Sequence, residues 1–250
     1  MASFADHFSQ LAARYKAYRP HYPPALAGAL ADRCARRDLA WDVGCGNGQL
    51  SVALAERFAR VVATDPSQAQ LDQAVASPGV EYRCEPSEVS SHAAASVDLA
   101  VAAQAAHWFD WPRFVAELGR VVRPGGLVAL ITYRNAELAA EVGERLARFY
   151  DQIEPYWPDG RAHVFNRYRD LTLPWPAVDP PVLEMTATWT RDELVGYIST
   201  WSATARFVAA RGEGPGEGPI EALGAELAAV WPAGEAREVR WPLTIKLARV

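Results

Sequence analysis

The sequence is poor in cysteine and in long apolar runs, and each shortage excludes a class of protein. It has three cysteines, Cys34, Cys45 and Cys84, too few and too scattered for a disulfide framework or a zinc site. The longest apolar runs, such as LVALI at 127–131, are far too short to cross a membrane. Residues 1–20 carry charges throughout and lack the apolar stretch of a signal peptide. We therefore expect a protein of the reducing cytoplasm with no membrane partner and no bound metal.

Concentrated positive charge is lacking as well. The formal net charge is -5, and the arginine cluster of Arg33, Arg36 and Arg37 is flanked by Asp32 and Asp38. Because nucleic acids bind to a concentrated basic face, no nucleic-acid partner is expected. The sequence instead predicts a small-molecule partner and leaves the oligomeric state open.

Short apolar runs alternate with amphipathic segments over the middle of the chain. The predicted strands are 39–43, 61–64, 80–84, 97–103 and 126–133. The segments between most of them have helical spacing, and a long helix is predicted at 135–153. Strands that alternate with helices indicate an α/β fold in three layers, with a parallel sheet covered on both faces.

This alternation stops after about residue 153. Loops rich in proline and glycine at 174–181 and 211–219 enclose a predicted strand at 182–190 and a helix at 191–207. Six of the nine tryptophans lie from Trp157 onward, which suits either an aromatic-walled pocket or a second small core. The predicted domains are an N-terminal helical lid at 1–37, an α/β core at 38–153, substrate-side insertions at 154–235 with one core strand near 182–188, and a final core strand at 236–250.

Three glycines, Gly44, Gly46 and Gly48, follow the first strand in DVGCGNGQ. A glycine turn between a strand and a helix predicts a ligand cradle, since backbone N–H groups point across it. A phosphate-binding Walker loop would need a lysine, and none lies between Lys16 and Lys246. A dinucleotide fingerprint needs its third glycine one position later. A nicotinamide-dependent oxidoreductase is therefore disfavoured, but stays as an alternative.

The run DVGCGNGQ resembles the first motif of the class I S-adenosylmethionine-dependent methyltransferases. The specific resemblance covers about residues 38–134. It implies a Rossmann-like sheet, mostly parallel with an antiparallel last strand, and insertions over the substrate side. It also implies S-adenosylmethionine as cofactor and S-adenosylhomocysteine as product. A looser resemblance, carried by FADHFSQLAARYKAYRPHYP and YISTWSA, is to the trans-aconitate methyltransferase subgroup.

The resemblance places the cofactor on residues that follow the first four strands. Asp42 orients the cofactor's amino group, and the carboxylate of Asp65 accepts hydrogen bonds from both ribose hydroxyls. Glu88 and Ser87 are expected to recognise the adenine, with Glu85 as a rival. The complete set expected to bind the cofactor is Asp42, Gly44, Cys45, Gly46, Asn47, Gly48, Asp65, Pro66, Ser67, Ser87, Glu88, Gln104 and Arg19.

The implied reaction is an in-line displacement of the methyl group by a substrate oxygen, nitrogen or carbon. Alignment of the two reactants can supply roughly 7–11 kcal/mol, so no catalytic triad is needed. A carboxylate acceptor would need no general base, whereas a hydroxyl would need one, and His107 is the first candidate. The alternative for His107 is an ordinary packed histidine.

The acceptor is expected to be a small molecule methylated on oxygen, with a carboxylate among the candidates. Residues expected to contact it are aromatic or basic and lie near the ends of predicted elements: Tyr18, Tyr22, Trp108, Tyr133 and Arg134. A protein that binds the cofactor without turnover is the alternative from outside the enzymes.

Overall fold

The computed structural model describes residues 19–211 and 218–250, which form two compact units. The first, called the core unit, comprises Tyr22–Arg134, Ala162–Glu184 and Pro242–Val250. The second unit comprises the described residues before Tyr22, together with those of Asn135–Arg161 and Met185–Trp241. Residues 1–18 of the predicted N-terminal lid, Tyr18 among them, lie outside the described residues.

A seven-stranded sheet forms the centre of the core unit. Its strands are β1 (Leu39–Val43), β2 (Arg60–Asp65), β3 (Val80–Cys84), β4 (Val97–Ala103), β5 (Val122–Tyr133), β6 (Ala177–Val178) and β9 (Leu243–Arg249). They lie in the order β3-β2-β1-β4-β5-β9-β6. The pairs among β1–β5 are parallel, whereas β9 runs antiparallel to β5 and to β6. The predicted α/β class, with its antiparallel last strand, is confirmed.

Apolar residues on the two faces of this sheet belong to two separate clusters. Along β4, Leu99 and Val101 join one cluster, and Ala100 and Ala102 join the other, as the two-residue period of a strand requires. The helices of the core unit, apart from one that crosses its boundary, are α1 (Ala25–Ala31), α2 (Gln49–Ala55), α3 (Gln68–Leu71) and α4 (Trp111–Val121). Side chains of α1 and α2 complete the first cluster and those of α4 the second, which gives the three predicted layers.

The second unit has its own helices, its own small sheet and its own core. Its elements are α5 (Ala140–Ile153), β7 (Met185–Thr190), α7 (Arg191–Ser199), α8 (Ser202–Arg211), α9 (Pro219–Ala228) and β8 (Ala236–Trp241), while α6 (Arg161–Phe165) spans the boundary between the units. The ring of Tyr197 lies 5.1 Å from that of Trp201 and 5.8 Å from that of Trp241. Since Trp201 and Trp241 are buried as well, these rings form a second apolar core.

None of the helices in the described ranges combines the length and the apolar character needed to cross a membrane.

The predicted core strand near 182–188 is corrected by the sheet topology. The segment forms β7, which pairs antiparallel with β8 in a separate two-stranded sheet. The predicted final strand at 236–250 is likewise two strands, β8 and β9, divided at Pro242. Proline has no N–H to donate to a ladder, so the chain leaves one sheet there and enters another.

Two predicted boundaries also differ from the observed units. Helix α1 falls in the predicted lid, but Leu26 and Leu30 are fully buried in a cluster of the core unit. Helix α5 falls in the predicted core, but it belongs to the second unit, where the Arg148 guanidinium bonds Glu226 on α9 at 2.8 Å. In addition, β6 occupies part of the predicted proline-rich loop.

Candidate active site

The glycine loop at 44–48 joins the carboxyl end of β1 to α2. The three glycines have positive φ, 66° at Gly44, 56° at Gly46 and 80° at Gly48, which other residues adopt at a cost. The N–H groups of Gly44 and Cys45 donate to the carbonyl of Thr64 on β2, at 2.8 and 3.0 Å. The loop is therefore fastened to the next strand at the sheet edge where ligands of open α/β sheets bind.

The three glycines are needed for different reasons. A Cβ at Gly44 would lie 2.6 Å from the Cβ of Ala105, and one at Gly48 would overlap the hydroxyl of Tyr82. A Cβ at Gly46 would meet nothing in the described chain closer than a side-chain oxygen at 3.9 Å. Gly44 and Gly48 thus permit close packing within the protein, whereas Gly46 leaves room beside the loop for a ligand.

Asp42 is the buried carboxylate directly ahead of the loop. It is 1% exposed, and its Oδ2 accepts a hydrogen bond from Ser51 Oγ at 2.6 Å. Burial raises the pKa of Asp42 to about 7, and the charge of Asp65 adds to this, while the Ser51 hydrogen bond acts in the opposite direction. A cation beside Asp42 would favour the ionised form and lower this pKa.

Asp65 connects the loop to the segment after β2. Its Oδ2 accepts from the Gly46 N–H and its Oδ1 from the Ser67 N–H, both at 2.9 Å. Each carboxylate oxygen can accept more than one hydrogen bond, so Asp65 is held in place and can still accept donors from a ligand. Ser67 stands at the N-cap of α3, but its side chain makes no cap hydrogen bond.

The other predicted residues in and after the loop interact through backbone carbonyls or, for Cys45, through a thiol. The Asn47 carbonyl accepts from the Val75 N–H at 3.2 Å, and the Pro66 carbonyl accepts from Cys84 Sγ at 3.6 Å. Burial raises the pKa of the Cys45 thiol, and nearby carboxylates add to the effect. Cys45 is therefore protonated and behaves as a small apolar residue in the loop.

The two glutamates considered for adenine recognition, Glu88 and Glu85, make different contacts in the segment after β3. Glu88 Oε1 accepts from Ser87 Oγ and from the Asp110 N–H, each at 2.9 Å, so Glu88 bridges to the segment after β4. Burial would raise the pKa of Glu88, but these hydrogen bonds outweigh it and lower the pKa. Glu85 instead bonds Ser91 within its own loop, at 2.6 and 3.0 Å. Glu88 is therefore the glutamate joined to the strand ends around the loop.

Gln104, directly after β4, has a positive φ of 55°. Its Oε1 accepts from Thr132 Oγ1 at 2.6 Å and from the Tyr133 N–H at 3.2 Å, while its Nε2 donates to the Tyr133 carbonyl at 3.0 Å. Because both ends of the amide bond β5, the side chain ties two strand ends together.

His107 lies in the short 3₁₀ turn Ala106–Trp108 that follows β4. Its Nδ1 is 2.7 Å from the hydroxyl of Tyr168, which is fully buried. The neighbouring Trp108 is 59% exposed and its ring lies 4.8 Å from the His107 ring. Phe109 follows this turn directly, and a Cβ at Gly44 would lie 3.2 Å from its ring. The turn that carries His107 therefore abuts the glycine loop.

The remaining predicted residues divide between the two units. In the core unit, the rings of Tyr22 and Tyr133 meet edge to face with centroids 6.3 Å apart. Arg134 Nε is buried and has no hydrogen-bond acceptor among the described residues. Arg19 belongs to the second unit, where its guanidinium carbon lies 5.7 Å from the Tyr197 ring centroid.

Three residues that contact predicted site residues were not themselves predicted from the sequence: Ser51, Tyr82 and Tyr168. Ser51 is a fully buried polar residue on a helix face shared with Leu50 and Leu54, so a polar residue in an apolar stripe was an available signal. Tyr82 and Tyr168 carry no such signal, because their contacts depend on distant parts of the chain.

Comparison with known proteins gives a consistent result. A family model described as a methyltransferase domain matches residues 41–130. A Dictyostelium discoideum protein named as a methyltransferase is 33% identical over 214 residues, which are 83% of this chain and 81% of that protein.

A solved structure, and a relative that matches over a shorter stretch, are also named as methyltransferases. A protein from Anaeromyxobacter dehalogenans, named as a type II methyltransferase, superposes with a TM-score of 0.86 at 40% identity, over 93% of this chain and 98% of that one. A trans-aconitate 2-methyltransferase from Deinococcus radiodurans is 35% identical over 102 residues, 40% of this chain and 39% of that enzyme.

Proposed function

The chain belongs to the class I S-adenosylmethionine-dependent methyltransferases, and from that premise we propose that it methylates a small-molecule acceptor on an oxygen, with a carboxylate as the preferred group. The nicotinamide-dependent alternative is thereby excluded. The third glycine of the loop lies one position earlier than a dinucleotide fingerprint requires. This position has a local reason, since Gly48 makes room for Tyr82.

The charges around the loop fit this cofactor. S-adenosylmethionine is positively charged at its sulfur and its amino group, and when bound it supplies an already activated methyl group. Asp42 and Asp65 flank the glycine loop, and the raised pKa of Asp42 reflects its burial near a second carboxylate. The buried Asp42 is the observation that carries the cofactor site, because a cationic ligand would stabilise its ionised form.

We assign the cofactor contacts from these positions. Asp42 orients the amino group, and residues Gly44–Gly48 lie along the amino-acid part. Asp65 accepts from the ribose hydroxyls while its bonds to Gly46 and Ser67 hold it still. Glu88 and Ser87 recognise the adenine, and Gln104 keeps the ends of β4 and β5 together beside it.

The acceptor is assigned to the end of β4 and the strand beside it. His107 and the exposed Trp108 follow β4, while the buried Tyr133 ends β5 and meets Tyr22. Arg134 follows Tyr133 directly and brings a guanidinium suited to a carboxylate. Arg19 and Tyr18 remain candidates for contacts to cofactor or acceptor.

Two arguments favour a carboxylate. A carboxylate is ionised at neutral pH, so its oxygen can attack once the reactants are aligned, and no general base is required. In addition, one relative is named for methylation of trans-aconitate, which is a tricarboxylate.

The acceptor class can be tested with cofactor carrying a labelled methyl group. The purified chain would be incubated with a panel of small carboxylic acids, including trans-aconitate, and with phenols and amines. A methyl ester releases labelled methanol in mild base, whereas a methyl ether or methylamine does not. We expect base-labile label on at least one acid. Transfer only to phenols, amines or carbon would contradict the proposal.

A further inference from the structure

Gln70, on α3, is a glutamine whose side chain points toward the glycine loop. Its Oε1 lies 3.9 Å from the position that a Cβ on Gly46 would take, and no other described atom outside the residues next to Gly46 comes within 4 Å of that position. Gln70 is partly buried, and its amide makes no hydrogen bond within the described ranges. Gln68 on the same helix is exposed, and its Nε2 donates to Asp72 at 2.9 Å. An amide with unused hydrogen-bonding capacity therefore faces the space that Gly46 leaves open.

The segment that contains α3 is attached to the glycine loop on both sides of the helix. Before α3, the Asp65 carboxylate accepts from the Gly46 N–H at 2.9 Å. After α3, the Val75 N–H donates to the Asn47 carbonyl at 3.2 Å. The Val75 carbonyl in turn accepts from the Tyr82 hydroxyl at 2.8 Å. These bonds hold α3 beside the loop and give its side chains a defined position there.

The ribose diol leaves a need that a carboxylate cannot meet. Each hydroxyl has one hydrogen to donate and an oxygen that can accept. When both hydrogens go to the Asp65 carboxylate, the hydroxyl oxygens can only accept, and an ionised carboxylate has no hydrogen to offer. The Gln70 amide has two N–H hydrogens on Nε2, and a half-turn about its last side-chain bond exchanges Nε2 with Oε1. Gln70 is thus suited to complement Asp65 at the same sugar.

We infer that Gln70 is a cofactor-binding residue whose amide N–H donates to a ribose hydroxyl beside Gly46, while Asp65 accepts the hydrogen of that hydroxyl. This inference rests on the proposed place of the ribose at Asp65. It goes beyond that proposal, because the expected set of cofactor residues does not include Gln70. The loss of the amide should weaken cofactor binding and leave folding unchanged.

Calorimetry with S-adenosylhomocysteine tests the contact without any methyl acceptor. Gln70→Leu keeps a side chain of similar size and helix preference and removes the amide. We expect this variant to bind roughly 3–10-fold more weakly, as the loss of one hydrogen bond between neutral groups requires. Gln68→Leu, on the same helix, is the matched control and should bind like wild type. Equal affinities for wild type and Gln70→Leu would overturn the inference.

A second probe tests which part of the cofactor Gln70 contacts. Methylthioadenosine keeps the ribose and lacks the amino-acid chain, so Gln70→Leu should lose the same factor in affinity with this probe. A loss with S-adenosylhomocysteine alone would place the contact on the amino-acid chain and overturn the ribose role.

A second variant tests whether Gln70 donates. Gln70→Glu keeps the shape of the side chain but cannot donate once it is ionised, so it should bind at least as weakly as Gln70→Leu. An affinity equal to that of wild type in Gln70→Glu would overturn the donor role. Since the Gln70 amide makes no hydrogen bond within the described part of the chain, Gln70→Leu should unfold at the temperature of wild type, and Gln70→Glu repeats the test if it does not.

These measurements separate the inference from the proposed function. They need no acceptor, so a failure to methylate any carboxylate would leave them decisive for Gln70. Weaker binding in Asp65→Ala together with unchanged binding in Gln70→Leu would overturn the inference and leave the proposed ribose site in place. Unchanged binding in Asp65→Ala would remove the ribose from Asp65 and overturn both.

Discussion

At the residue scale, Asp65 is the side chain whose removal should separate cofactor binding from folding. Both of its oxygens accept backbone N–H groups, and its proposed ligand is the ribose diol. Loss of hydrogen bonds to a charged group costs about 1.5–3 kcal/mol each. We expect Asp65→Ala, which loses both of these bonds to the diol, to bind S-adenosylhomocysteine roughly 100–10,000-fold more weakly by calorimetry while remaining folded.

Asp72→Ala is the matched control for this change. Asp72 is an exposed carboxylate in the same unit that bonds Gln68 on its own helix. Its removal should leave the affinity unchanged. Equal affinities for wild type and Asp65→Ala would remove Asp65 from the site.

The raised pKa of Asp42 predicts that the affinity for S-adenosylhomocysteine depends on pH. Burial raises its pKa to about 7, and a ligand ammonium requires its ionised form. Below pH 7 a proton therefore competes with the ligand, so affinity for S-adenosylhomocysteine should fall as the pH is lowered from about 8 to 6. In Asp42→Asn the affinity should be weaker, and this part of the pH dependence should disappear.

The comparison of wild type with Asp42→Asn cancels the titration of the ligand itself. Ser51→Ala adds a second check, because the Ser51 hydrogen bond lowers the pKa of Asp42. Its loss should move the midpoint to higher pH. Parallel pH profiles for wild type and Asp42→Asn would show that Asp42 does not face the ligand's charge.

At the element scale, alanine substitutions in the glycine loop should have two different effects, one on stability and one on cofactor binding. Gly48→Ala would place a Cβ against the Tyr82 ring, whose Cε1 and Cζ lie 2.9 Å away, in addition to the strain of a positive φ. That strain costs about 1–2 kcal/mol and overpacking about 1–3 kcal/mol more. Gly46→Ala carries the strain alone and should chiefly weaken cofactor binding.

Gly125→Ala is the control for backbone strain, since Gly125 has φ of 82° and open space around its Cβ position. Chemical denaturation should rank Gly48→Ala as less stable than Gly125→Ala, and Gly46→Ala as similar to Gly125→Ala. Cofactor affinity should fall in Gly46→Ala and remain in Gly125→Ala. Equal stability of Gly48→Ala and Gly125→Ala would show that the Tyr82 contact is unimportant.

The sequence predicted elements with strong local patterns and missed those set by distant contacts. The predicted bounds of β1, β3 and β4 match the structure. For β1 and β4 the reason is that buried parallel strands are short apolar runs, whereas β3 is an edge strand with no buried residue. Between β2 and β3 the structure has a helix only at Gln68–Leu71, and the Val75 N–H bonds the Asn47 carbonyl of the glycine loop. Helical spacing was present there, but a tertiary hydrogen bond takes one of the groups that a longer helix would need.

At the scale of the whole molecule, the chain does not divide into contiguous domains. It passes between the two units after His21, Arg134, Arg161, Glu184 and Trp241. A linear pattern of strands and helices shows which elements form, but not which partners they choose. The sequence thus predicted the core sheet and the glycine loop with its flanking aspartates. It could not predict the β7–β8 sheet or the approach of Tyr168 to His107.

The identity of the cofactor can be tested by its effect on the thermal stability of the whole molecule. A ligand that binds only the folded state adds about 2.7 kcal/mol when present at 100 times its Kd. For a chain of this size that corresponds to a rise in Tm of roughly 5–10 °C. S-adenosylhomocysteine should produce this shift and NAD should not, and a shift with NAD alone would contradict the family's cofactor here.

The most direct measurement is a crystal structure of the chain with S-adenosylhomocysteine bound. The account predicts both ribose hydroxyls within hydrogen-bond distance of the Asp65 carboxylate and the amino-acid part beside Gly46, with its amino group near Asp42. A ligand bound elsewhere, or a ribose turned away from Asp65, would contradict the account.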